Sequence, residues 1–108
     1  MNNQTHANSD VLTFYKRLPF NYGNPTVMAN SIRKRNPVMY YKHLEPLLKS
    51  GINVLDVGCG AGWFVNSVNY HYKNYGTLCS GIDFNKLALE QAKQVALNLG
   101  NHSNFVII

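Results

Sequence analysis

A chain of 108 residues, 45% of them hydrophobic, has the length of one small domain. Ten basic residues against five acidic give a formal charge of +5, but basic charge in short clusters does not select a substrate by itself. No apolar run is long enough for a transmembrane helix, two cysteines make no disulfide framework, and none of the four histidines has the i, i+4 spacing of a helical metal site.

Residues 1–10 are polar and read as a disordered N-terminus without a signal-peptide pattern, so a cytoplasmic protein is the expectation. Residues 11–50 read as an N-terminal helical cap. Asn24-Pro25 and Asn36-Pro37 each match an N-cap followed by a first-turn proline. Lys16-Arg17 and Arg33-Lys34-Arg35 carry much of the net charge. Both clusters are short and lack a stacking surface at helical or strand spacing, so a solvated helix face is favoured over RNA or DNA binding. The aromatics Phe14, Tyr15, Phe20, Tyr22, Tyr40 and Tyr41 suit the completion of a core.

Residues 52–57 read as a short buried strand ending in the acid Asp56 and Val57. Glycines at 58, 60 and 62 follow at once, letting the backbone turn sharply and approach a ligand without Cβ clashes. A strand, loop and helix start of this kind presents unpaired N–H groups and the positive end of a helix dipole. Residues 63–73 carry Phe64, Val65, Val68 and Tyr72 at helical spacing, and residues 78–83 form the next strand, ending in Asp83. Residues 86–98 form a second helix with Leu87, Ala88, Ala92, Val95, Ala96 and Leu99 on one side, Asn85 as N-cap and Gly100 as stop. A third strand opens at residues 105–108. The order β, α, β, α, β predicts a parallel sheet with right-handed crossovers.

The dinucleotide fingerprint needs glycine at its first, third and sixth positions, and counting from Gly58 the sixth is Trp63. Asp56 would also sit badly beside a pyrophosphate, but well beside an ammonium group or hydroxyls. Asp83, roughly 20 residues beyond the loop, stands where a strand-end carboxylate accepts hydrogen bonds from ribose hydroxyls. An NAD-dependent oxidoreductase fragment is therefore the weakest reading. Cys59, near a helix start, invites a nucleophile reading, but no histidine lies close in sequence and the position suits a small residue. His71, in the Tyr70-His71-Tyr72 run, reads as a core or surface histidine.

With these residues in hand, residues 54–62 (VLDVGCGAG) and 80–92 closely resemble the first two motifs of class I S-adenosylmethionine-dependent methyltransferases. The resemblance spans residues 52–108 and implies an α/β, Rossmann-like doubly wound parallel sheet, here as its first half over residues 51–108. It implies S-adenosyl-L-methionine as cofactor. The loop around Gly58, Cys59, Gly60 and Gly62 would receive the methionine part, and Asp56 the amino group, directly or through water. Asp83 would hold the ribose, Phe84 would flank the adenine, and the backbone of Asn85 would lie near it. The N-terminal segment is expected to pack over the cofactor end of the sheet, and the alternative to core completion by its aromatics is a lid like the family's N-terminal cap, with Tyr22 or Tyr41 as candidates for closing on the ligand. The family's third strand leads to an acidic loop beside the adenine and its fourth carries residues near the transferred methyl. Neither is present here, so the chain is expected to be a truncated part that assigns no catalytic residue. The implied activity is methyl transfer to a small-molecule acceptor. The alternative is a non-catalytic binding module, or a fragment completed by a second polypeptide. The sequence gives neither the acceptor atom nor the oligomeric state.

Overall fold

The computed structural model describes residues 24–40 and 42–108. The expectations for Phe14, Tyr15, Lys16-Arg17, Phe20, Tyr22, Tyr41 and the disordered 1–10 stretch lie outside these residues.

Helix α1 (Pro25–Lys34) starts where Asn24 accepts the Thr26 N–H at 2.8 Å, with Pro25 in the first turn, as the Asn-Pro pattern predicts. At the second such pattern the structure differs. Asn36 accepts the Val38 N–H at 3.1 Å, but the chain then makes only a single 3-10 turn, Pro37–Tyr40. A one-turn helix, α2 (Glu45–Leu48), leads to strand β1 (Asn53–Val57). Then come α3 (Trp63–His71), a 3-10 turn (Lys73–Tyr75), β2 (Leu78–Asp83), α4 (Lys86–Leu99) and β3 (Asn104–Ile107). Asn85 caps α4 by accepting the Ala88 N–H, and Gly100 ends it at φ 72°. Both were legible from residue type.

The sheet is parallel in the order β1-β2-β3. Val54 pairs with Cys79 and Asp56 with Gly81, while Gly81 pairs with Phe105 on the far side. Before β3 pairing begins, the Asn69 side-chain amide takes the place of a third strand. It accepts the Cys79 N–H at 2.8 Å and donates to the Cys79 carbonyl at 2.9 Å, so neither buried backbone group is left unpaired. Helices α3 and α4 cover one face, where Val65, Val68, Leu89, Ala92 and Ala96 pack on Cys79 and Phe105.

The other face is open among the described residues. Leu55 is 58% exposed, Val57 68%, Leu78 45% and Val106 47%. Among the described residues β1 is covered on one side, because alternation along the strand sends Leu55 and Val57 to the face that neither helix reaches. The far edge of β1 pairs with no described strand. The predicted face of α4 is also adjusted: Leu87 is 45% exposed, and Gln91 is buried instead.

Helix α1 does not lie over the glycine loop. Its Ala29 and Ile32 pack on Val95 and Leu99, in the C-terminal half of α4, and its Arg33 guanidinium donates to the Asn98 carbonyl. His71, at the end of α3, contacts the Ile32 carbonyl at 2.7 Å. The late turns of α3 and α4 carry an apolar stripe that the sheet leaves unburied, and an amphipathic α1 finds its partner there. Tyr72 ties this layer to the preceding segment by donating to Glu45 at 2.6 Å and accepting from Asn36 at 2.8 Å. The hydrogen bond from Tyr72 holds the Glu45 carboxyl below its ordinary pKa, helped by Lys49.

Candidate functional site

The loop after β1 is built by glycines that do different work. Gly58 and Gly60 have φ of 77° and 57°, and a Cβ on either would meet no atom within 4 Å. Their side-chain positions open onto free space. Gly62 is buried at φ 78°, and its Cβ would fall 2.6 Å from Ala92 Cβ and 2.9 Å from Phe105 Cζ. Its missing side chain lets the start of α3 press against α4 and β3.

Four N–H groups of the loop are bonded within the protein. Gly58 and Cys59 both donate to the Ile82 carbonyl, at 2.8 and 3.0 Å, Gly60 donates to Asp83 Oδ2 at 2.8 Å, and Gly62 to the Cys59 carbonyl at 3.0 Å. These four donors are spent inside the protein because the turn folds back onto the end of β2, while the Ala61 N–H and the first N–H groups of α3, at Trp63, Phe64 and Val65, make no such bond among the described residues. Asp83 is 6% exposed, and its second oxygen accepts the Asn85 N–H at 2.8 Å. The structure therefore joins the tips of β1 and β2 through one carboxylate.

Asp56 faces the same layer, half-buried on β1. Burial raises its pKa, and the Asp83 charge adds to the rise. The Cys59 side chain points down toward the sheet, where its sulfur would be 2.6 Å from a Cβ on Gly81. Burial, then Asp83 and Asp56, push the thiol up to about 12. It is a neutral thiol at physiological pH, the opposite of an activated nucleophile. Phe84 is 44% and Trp63 38% exposed, at the ends of β2 and the loop. Asn85 is 3% exposed.

The structure thus brings Asp56, Gly58, Cys59, Gly60 and Asp83 together at one end of the sheet, with Phe84 and Asn85 directly after them. Gly62 adjoins them but faces the core. Sequence reasoning passed over Gly81 beneath the loop, although a glycine inside a strand pattern is itself a signal of close approach. Among the described residues no group of three or more metal-ligating side chains occurs, and no helix is long and apolar enough to cross a membrane.

A parallel β-α-β-α-β unit with a glycine turn after its first strand and a carboxylate at the tip of its second defines a Rossmann-like cofactor-binding unit. The chain belongs to the methyltransferase-domain family, whose model matches residues 48–107, in agreement with the class I S-adenosylmethionine-dependent resemblance of the loop and second strand. Among solved structures it is similar to YjhP from E. coli, at 30% identity and a TM-score of 0.51 over 63% of this chain and 28% of that one. It shares its fold with the PH0226 protein from Pyrococcus horikoshii, at 23% identity and a TM-score of 0.53 over 89% of this chain and 42% of that one. The chain thus spans less than half the length of either. No curated protein matches its sequence.

Proposed function

We propose that the chain is the cofactor-binding part of an S-adenosylmethionine-dependent methyltransferase that acts on a small-molecule acceptor. The observation that carries this reading is the free space at Gly58 and Gly60 in a loop held by Asp83, which accepts the Gly60 N–H and lies close enough to Asp56 for its charge to act there. Two carboxylates beside a loop in which the Gly58, Cys59, Gly60 and Gly62 N–H groups are already engaged suit a ligand that brings cationic and hydroxyl donors, and repel a pyrophosphate. A class I cofactor has those features, with an α-ammonium group at one end and ribose hydroxyls in the middle. When bound, it supplies an electrophilic methyl group on a sulfonium.

In this reading Asp56 takes the ammonium group, directly or through water, and Gly58, Cys59 and Gly60 line the methionine part with backbone. Asp83 uses its remaining lone pairs for the ribose. Phe84 flanks the adenine with its exposed ring, beside the backbone of Asn85. Gly62 acts from below by seating the start of α3. The chain's work is binding and alignment, which is where the acceleration of an in-line transfer arises. The unpaired thiols of Cys59 and Cys79 suit a reducing compartment, and a cytoplasmic location is part of the proposal. Nucleic acid is disfavoured as acceptor.

A second reading is a non-catalytic module, or a unit completed by another polypeptide. The apolar face of Leu55, Val57, Leu78 and Val106, open among the described residues, favours it, since a parallel sheet is normally covered on both faces. Calorimetric titration of the full chain with S-adenosylmethionine, S-adenosylhomocysteine and NAD tests the first proposal. Binding of the first two and not the third is expected, and binding of NAD alone would overturn it. Methyl transfer by the chain alone in a broad acceptor screen would eliminate the second reading.

A further inference from the structure

Strand β2 carries a glycine at its centre, where strand-forming side chains are the rule, and its φ is not in the left-handed region. Space is what Gly81 provides. A Cβ there would lie 2.6 Å from Cys59 Sγ, 2.9 Å from Cys59 Cβ and 3.0 Å from Val65 Cγ2. Gly81 is buried and pairs across the ladder with Asp56. The cysteine side chain of the loop therefore rests in a notch that exists only because residue 81 has no side chain.

The hydrogen bonds one residue further along each segment make the notch consequential. Cys59 N–H donates to the Ile82 carbonyl at 3.0 Å, and Gly60 N–H donates to Asp83 Oδ2 at 2.8 Å. Both acceptors belong to the two residues after Gly81. If Cys59 rides up, the loop backbone is lifted from Ile82 and the Gly60 N–H loses Asp83. We infer that Gly81 and Cys59 form a size-matched pair that sets the height of the glycine loop, with Gly81 a positioning residue for the cofactor site. The loop part of this inference stands on contacts within the chain, whereas its effect on the cofactor rests on the proposed binding role.

The test compares wild type, Gly81→Ala, Cys59→Gly and the double variant in the 108-residue chain. Two readouts are needed: amide hydrogen exchange at Gly60 and affinity for S-adenosylmethionine. The Leu78 amide, bonded to the Ile52 carbonyl at 3.0 Å in the same sheet, serves as internal reference. Overpacking at Gly81→Ala is expected to speed Gly60 exchange by about tenfold and weaken S-adenosylmethionine by a similar factor, with Leu78 much less affected. Adding Cys59→Gly removes both Cys59 atoms from the clash and should return both readouts to the Cys59→Gly values. If Gly81→Ala alone does not fold, recovery of a folded double variant with a protected Gly60 carries the same contrast.

Unchanged Gly60 exchange in Gly81→Ala, or equal loss of protection at Gly60 and Leu78 with no recovery in the double variant, would overturn the inference. The second result would make Gly81 an ordinary core position. A wild-type chain that binds no S-adenosylmethionine while Gly60 exchange accelerates in Gly81→Ala and recovers in the double variant would remove the cofactor reading and leave the positioning of the loop established.

Discussion

Replacing Asp83 with alanine removes the acceptor that joins the tips of β1 and β2. Two backbone donors lose their partner, but unequally. Gly60 lies in a half-exposed loop and can turn to water, whereas Asn85 is 3% exposed and its N–H is held at 2.8 Å. The stability loss is then dominated by the hydrogen bond to a charged acceptor that the buried Asn85 N–H gives up, about 1–3 kcal/mol. That is a large fraction of the roughly 5–15 kcal/mol available to a small domain, yet not enough by itself to unfold it. A separate loss falls on the ligand. Hydrogen bonds from ribose hydroxyls to a carboxylate are worth about 1.5–3 kcal/mol, which is roughly a 10- to 150-fold rise in Kd. Urea denaturation measures the first quantity. Calorimetric titration with S-adenosylhomocysteine, at a temperature where both proteins are folded, measures the second. Loss of stability without loss of affinity would leave Asp83 a purely structural tie. An unchanged Kd in the folded Asp83→Ala protein would falsify its assignment to the ribose.

Gly60→Val, at φ 57° with open space beyond, should abolish detectable S-adenosylmethionine binding while costing about 1–2 kcal/mol of backbone strain in urea denaturation; normal binding would show that the loop does not line the ligand. Gly62→Ala adds a Cβ 2.6 Å from that of Ala92 and should lower stability by about 2–5 kcal/mol, overpacking and left-handed strain together, against about 1–2 kcal/mol for Gly58→Ala, which meets nothing. Equal losses at the two glycines would contradict the division of labour within the loop. Asp56 has a raised pKa, from burial first and Asp83 second, so its ionised form is disfavoured by the fold. Its contribution to stability is full below the ordinary carboxylate range and is lost as pH rises through the raised value. Asp56→Asn should therefore raise Tm at pH 7, flatten its pH dependence on the acidic side and weaken S-adenosylmethionine; a lower Tm at pH 7 would refute the sign.

Strand and helix limits were legible because local chemistry sets them. Asn24 and Asn85 cap helices with their own side chains, Gly100 ends one, and β2 runs over the residues its pattern predicts. Burial was less legible. Leu55 and Val57 have the composition of a buried strand, but hydrophobic pattern reports which faces require cover and not which of them two crossover helices reach. The place of α1 was hidden for a related reason. Its apolar face fits several surfaces equally well in sequence, and only the packed sheet reveals that Val95 and Leu99 remain to be covered. The gathering of Asp56, Asp83 and the three glycines at one end of the sheet was readable from spacing. Their unequal roles were not, because the difference between Gly60 and Gly62 lies in tertiary neighbours such as Ala92 and Phe105.

The accounting of loop donors bears most directly on ligand class. In an anion-binding turn, several N–H groups converge on the ligand and supply its charge compensation. Here Gly58 and Cys59 give theirs to one carbonyl, Gly60 to a carboxylate, and Gly62 to the loop itself. Besides the Ala61 N–H and the N–H groups that open α3, the loop offers a ligand shape, at the two glycines whose Cβ positions are empty, while the charge nearby comes from Asp56 and Asp83. A phosphate placed above Gly58 and Gly60 would face two acids and lose much of the donor set that normally offsets its desolvation. A ligand carrying an ammonium group and a diol meets the opposite situation, because each acid then gains a partner and no donor of the loop has to be released. On the proposed reading, the four internal hydrogen bonds and the two acids bias this glycine turn toward a cationic, hydroxylated cofactor rather than a dinucleotide.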